Sequence, residues 1–171
     1  MKNQGKRFEE DFRNSLNLDN ENLFFYRFKD GTASWGEPNN PQVRFQQKNI
    51  ADSMLFYKGI LFITELKSHK GKSLPFSCIR DNQFQEMYAA SFKKNVYPIV
   101  IIFFSEIEEC YALKMTDIIQ FRNENKSKSI SLLFAKEKGF KIDCRKKLTH
   151  YHFFIEEFLE NFIKKEKKEG F

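Results

Sequence analysis

Cysteine is scarce. Only Cys78, Cys110 and Cys144 occur in 171 residues, an odd number spread far apart. That spacing excludes a disulfide frame or a close-set zinc site and points to reduced thiols in a cytoplasmic protein. No apolar run approaches the roughly 20 residues of a membrane-spanning helix. The opening MKNQGKRFEEDF has no apolar core of the secretory kind. No internal repeat recurs, and nothing marks a second domain, so residues 1–171 are expected to form one unit.

Hydrophobic residues make up 41% of the chain, with 21 phenylalanines, enough to drive a sizeable core. The net charge of +6 and pI of about 9.1 favour an anionic partner such as nucleic acid.

Phe8, Phe12 and Leu16 recur every four residues, which predicts a helix over 5–17. LFFYRF (23–28) reads as a strand. The polar stretch from Gly31 to Gln47 reads as an extended loop, and 28–48 as a projecting loop or short stalk. Asp81 is expected to cap a helix running to about Lys94, with Phe84, Met87, Tyr88 and Phe92 as its apolar stripe. YPIVIIFFS (97–105) is apolar on both faces and predicts a covered central strand, with ECYALK beside it. Short helices are expected over 115–122 and 131–138, the second ended by Gly139. Thr149 is expected to cap a last helix whose apolar face runs from Tyr151 and Phe154 to Phe162 and Ile163. This order predicts an α/β fold, a mixed sheet flanked by helices.

The stretch ADSMLFYKGILFITELK (51–67) holds the chemistry. A two-residue turn at Lys58-Gly59 sets Tyr57 opposite Ile60, and the same register sets Asp52 opposite Glu65 on one face. Opposed side chains have Cβ atoms about 5 Å apart, where like charges repel. Two such acids share a proton, find cations or bind a metal ion. Leu66 points the other way, leaving its carbonyl as a third hard oxygen, a donor set suited to Mg²⁺ or Mn²⁺. The alternative is plainer: strand-end acids are common, and on that reading Glu65 with Lys67 is only a surface ion pair.

Asp52 followed by Glu65-Leu66-Lys67 resembles the D-(x)n-E-x-K signature of the PD-(D/E)xK nucleases. GKRFEEDF, FYKGILFITELKSHKGKSLPF, IRDNQFQEM and KSISLLFAKEKGFKI resemble successive segments of the RecU-type Holliday junction resolvases. The resemblance implies a restriction-endonuclease-like core and Mg²⁺-dependent (or Mn²⁺-dependent) paired nicking of branched DNA by a homodimer. Asp52 and Glu65, with the Leu66 carbonyl, would hold the metal, and Glu9 on the first helix would join through water. Lys67 would orient the attacking water or stabilise the phosphate, and Gln83 would bond the water or scissile phosphate. The chain departs from the family pattern in three places. The segment before Asp52 is short and unlike the family's stalk, the long basic N-terminal arm is missing, and Ala51 replaces the superfamily's proline. Another nuclease of this fold (restriction-type, nicking or flap-cutting) and a non-catalytic basic DNA-binding module are the rival functions.

Lys70, Lys72 and Arg80 flank the proposed site and read as phosphate contacts, or else as a solubilising loop. Trp35 either stacks on exposed bases or packs its loop onto the body. His150 and His152 are expected to cap and pack, not to bind metal.

Overall fold

The computed structural model describes residues 4–29 and 49–170. The expected projection over 28–48 therefore falls almost wholly outside the described residues, and Trp35 with it. Along the chain run α1 (Gln4–Asn14), β1 (Leu23–Arg27), β2 (Ser53–Tyr57), β3 (Ile60–His69) and β4 (Ser73–Pro75). A 3₁₀ turn at Phe76–Cys78 leads to α2 (Asp81–Ala90), β5 (Val96–Phe104), β6 (Glu109–Lys114) and α3 (Met115–Asn125). There follow β7 (Ser129–Ser131), α4 (Leu132–Lys138), β8 (Phe140–Ile142), β9 (Cys144–Lys147), β10 (His150–Phe153) and α5 (Ile155–Gly170).

Six strands form the main sheet in the order β1-β2-β3-β5-β6-β8. Only β3 and β5 run parallel; the other neighbours are antiparallel. Strand β5 sits inside the sheet with helices on both faces, so Pro98 to Phe104 are buried without alternation. On one face Leu55, Phe62 and Ile101 pack with Phe12 of α1 and Phe158 and Phe162 of α5. On the other, Ile63, Val100 and Ile102 pack with Met87 of α2, Ile118 of α3 and Phe134 of α4. Each such side chain taken from water contributes about 1.5–3 kcal/mol.

The end of the chain departs from expectation. The described residues hold no helix from Thr149. Residues 144–153 form the β9–β10 hairpin instead, and Tyr151 lies in a strand. Alternation wins because α1 and the residue that follows it supply partners: Phe153 N–H donates to Ser15 Oγ (2.9 Å) and Tyr151 N–H to Asp11 Oδ2 (3.0 Å). From Ile155 onward the helical spacing holds, and Phe158, Leu159 and Phe162 are buried. Helix α2 also differs from the reading. Its cap position is Arg80, Asp81 is already helical, and the helix stops at Ala90. Phe84 and Met87 are buried as expected, but Tyr88 and Phe92 lie on the surface.

Candidate active site

The site grows from the β2–β3 hairpin. Lys58 (φ 48°) and Gly59 (φ 84°) make the two-residue turn with both residues left-handed, which matches the twist of the strands. Tyr57 hydroxyl donates to Glu160 Oε1 of α5 at 2.7 Å, and Lys58 forms an ion pair with the same carboxylate. The register runs from Tyr57↔Ile60 to Ser53↔Thr64, as the turn demands. Ser53 and Thr64 close the ladder through a buried hydroxyl pair at 2.5 Å.

Asp52 stands one residue beyond that last pair. Its carbonyl accepts from Phe28 N–H at 3.0 Å, extending the β1 side of the ladder. Its Oδ2 accepts the Leu66 N–H at 2.8 Å, so the carboxylate is anchored on β3 beside Glu65. Leu66 itself is buried on the opposite face against α1 and α5.

Glu65 is fully buried. Lys67 Nζ donates to its Oε1 at 2.5 Å, and Gln83 Nε2 donates to its Oε2 at 2.7 Å. Burial pushes the Glu65 carboxyl up, and the charge of Asp52 pushes it further; the Lys67 ammonium and the Gln83 amide oppose both. The Gln83 amide is itself held at its other end, where Oε1 accepts the Arg80 N–H at 3.2 Å. Gln83 is fully buried, so in this arrangement it orients Glu65 and its amide does not face open solvent. Lys67 is partly exposed, with its ammonium beside the acids.

Among the described residues no three acids, histidines or cysteines meet in a metal-sized cluster. Two acids do stand together here; burial first and the Asp52 charge second raise the Glu65 carboxyl, and a divalent cation would offset both. Two carboxylates and a backbone carbonyl fit an ion that prefers hard oxygens and keeps several waters. Glu9 Oε2 is salt-bridged to Arg27 Nη2 at 2.7 Å. Arg27 pairs with Ser53 in the sheet, so this ion pair lies at the end of β2 next to Asp52 in the chain.

The expected basic cluster divides. Lys70 and Lys72 are exposed in the turn after β3, which is tied down by Leu132 N–H donating to the Lys72 carbonyl at 2.8 Å. Lys70 borders a cleft on the α1 side of the sheet. Arg80 borders a different one, beside Arg122 and Phe76. His150 Nδ1 bonds Asp11 Oδ1 at 2.6 Å. Sequence reading passed over two groups: Asp11, a buried acid, and the Ser53–Thr64 pair. Asp11 carried no signal because its partners lie some 140 residues away. The hydroxyl pair did have a signal, because the hairpin register sets Ser53 opposite Thr64.

A mixed sheet carrying paired acids, a lysine two residues on and a helical glutamine defines a nuclease core of the restriction-endonuclease-like kind. A solved structure with this fold is that of Archaeoglobus fulgidus Hjc, described as a Holliday junction resolvase from an archaeal hyperthermophile. It aligns with a TM-score of 0.51 at 14% identity, over 80% of this chain and 95% of that one. Residues 3–157 match the family of recombination protein U, RecU. The chain belongs to the RecU family, and with it to the nucleases that act on DNA. A relative, an uncharacterized protein derived from the SPbeta prophage of Bacillus subtilis (strain 168), YotM, is 31% identical over 179 residues. That alignment covers 96% of this chain and 89% of the relative. Among the described residues no helix is long and apolar enough to cross a membrane.

Proposed function

We propose that this chain is a Mg²⁺- or Mn²⁺-dependent endonuclease that resolves Holliday junctions by paired nicks, working as a homodimer in the cytoplasm. Membership of the RecU family supports the junction as substrate. The observation that carries the chemistry is the buried Glu65 carboxylate, held between Lys67 and Gln83 with Asp52 beside it.

Asp52, Glu65 and the Leu66 carbonyl would hold the metal. A bound divalent ion lowers the pKa of its water and offsets charge growing on phosphorus. Gln83 fixes the direction of Glu65 by bonding Oε2. Lys67 carries positive charge at the partly open edge, where the scissile phosphate and attacking water would be positioned. Glu9 and Arg27 bound the site on the α1 side. Lys70, Lys72 and Arg80 would contact phosphates on either side of the cut. A resolvase makes two related cuts, which calls for two sites related by a two-fold axis.

The test compares nicking of a synthetic four-way junction with nicking of its linear arms, in Mg²⁺ and in EDTA. Paired nicks in the junction with Mg²⁺ alone are expected. Equal cutting of every substrate rejects junction selectivity; no cutting with any divalent ion rejects the catalytic reading. Sedimentation of the free protein as a monomer at cleavage concentrations rejects the homodimer.

A further inference from the structure

The β9–β10 hairpin does nothing for the proposed chemistry, yet it is held with care. His150 and Tyr151 N–H both bond Asp11, a buried acid. Phe153 N–H bonds Ser15 Oγ, which in turn donates to the Asp11 carbonyl at 2.6 Å. Tyr151 hydroxyl reaches Glu108 at 2.7 Å. Strand β10 is therefore held against the α1 end of the fold from Phe153 up to His150, next to the turn, and only the turn residues project beyond it.

At the tip is Leu148, 97% exposed, on a left-handed backbone of φ 53°. A lone exposed leucine needs no explanation. A bulky side chain at a turn position that glycine or asparagine would occupy with less strain is another matter. The chain forgoes both the easier turn residue and the burial of an apolar group.

Cations surround this leucine. Arg145, Lys146 and Lys147 precede it. Strand alternation places Lys146 on one face of the hairpin and Arg145 and Lys147 on the other. Beneath the tip lies a cleft of about 470 Å³ whose lining includes Arg7, Lys70, Lys146 and Leu148. Two acids also line it: Asp11, committed to the hairpin, and Glu106. Lys146 is ion-paired with Glu108, so Arg7 and Lys70 add positive charge from the cleft side. Lys70 is three residues beyond Lys67, which is about 10 Å along an extended strand.

We infer that Leu148 is a wedge for branched DNA: a rigid apolar tip that lodges against an unstacked base step at the branch point, while flanking cations hold the phosphates on both sides. Inserting an apolar side chain at a base step costs unstacking, and that cost is lowest where the base is already unstacked, which favours a branch over continuous duplex. This inference rests on the DNA-nuclease reading but assigns a surface outside the acids that would cut.

The test uses the full chain with a four-way junction carrying a fluorescent adenine analogue beside the branch point, and with its linear arms, in Ca²⁺. The wild type should brighten the analogue. Leu148→Gly should melt no lower than the wild type, lose the brightening, and bind the junction about tenfold more weakly, the scale of one leucine side chain returned to water. Leu148→Met, which keeps the apolar reach, should retain most of both signals. Arg145→Ala with Lys147→Ala should flatten the salt dependence of junction binding by nearly two logarithmic units per unit. A Leu148→Gly protein within twofold of wild type in brightening and affinity overturns the inference while leaving the nuclease reading intact. So does a change in oligomeric state with junction binding preserved, which would make Leu148 a protein contact. A wild type that binds none of these DNAs sinks the nuclease reading and this inference together.

Discussion

Gln83 Nε2 donates to Glu65 Oε2 at 2.7 Å, and both side chains are fully buried. This bond joins α2 to β3 and aims one carboxylate. Gln83→Leu should leave Glu65 short of a donor in a dry site, at a cost of about 1–3 kcal/mol. Cleavage should fall about 10- to 100-fold, the usual effect of losing a group that orients a metal ligand. Melting temperature and single-turnover rate check the two parts separately. A full rate with lowered stability would assign Gln83 to folding alone.

Asp52→Asn and Glu65→Gln should each remove cleavage while the protein folds and binds DNA. The amide oxygen of Asn can still accept the Leu66 N–H, so the ladder end survives. Gln at position 65 removes a buried charge whose carboxyl is already pushed up by burial and Asp52. Melting curves near wild type, gel-shift binding retained, and no nicked product are the expected results. Near-normal turnover in either variant means the acids lie elsewhere.

Lys70→Ala with Lys72→Ala should weaken binding to every DNA by a similar factor. Two lost phosphate contacts flatten the salt dependence by nearly two logarithmic units per unit. Binding measured over a range of salt concentrations gives that slope. An unchanged slope makes this turn a solvated loop with no DNA contact.

Tyr111 is expected to titrate late. Burial and its bond to Glu109 push the phenol up to about 12 from the usual 10.0. The folded state thus holds this proton more tightly than the unfolded chain does. Its contribution to stability is fully present below pH 10 and is lost as pH rises through about 12. Near-ultraviolet absorbance should show Tyr111 ionising at about 12 while the protein stays folded, and earlier only if it unfolds. Tyr111→Phe should blunt the loss of stability over that interval. Phenolate formation at the ordinary pH in a folded protein would contradict this.

Much of the hairpin that carries the two acids was legible in advance. Two short apolar runs define the strands, and Lys58-Gly59 between them allows only a short reversal, so the register to Ser53↔Thr64 follows and brings Asp52 beside Glu65. The run from Pro98 to Phe104 was legible for a similar reason: unbroken apolarity is what two covered faces require. The β9–β10 hairpin was not. Tyr151, Phe154, Ile155 and Phe158 have spacings a helix would also use, and the deciding hydrogen bonds come from Asp11 and Ser15, far away along the chain. Tyr88 and Phe92 misled similarly, because α2 is shorter than its apolar residues suggest.

The amino-acid order by itself determined which acids face each other, since side-chain alternation and turn length are local properties of a hairpin. Only the folded chain decided what those acids touch. The glutamine on Glu65 and the clamp that presents Leu148 depend on helices docking from distant positions, whereas the backbone amide on Asp52 comes from the same hairpin. Docking follows from how two apolar faces fit together, a relation that no single stretch of residues contains.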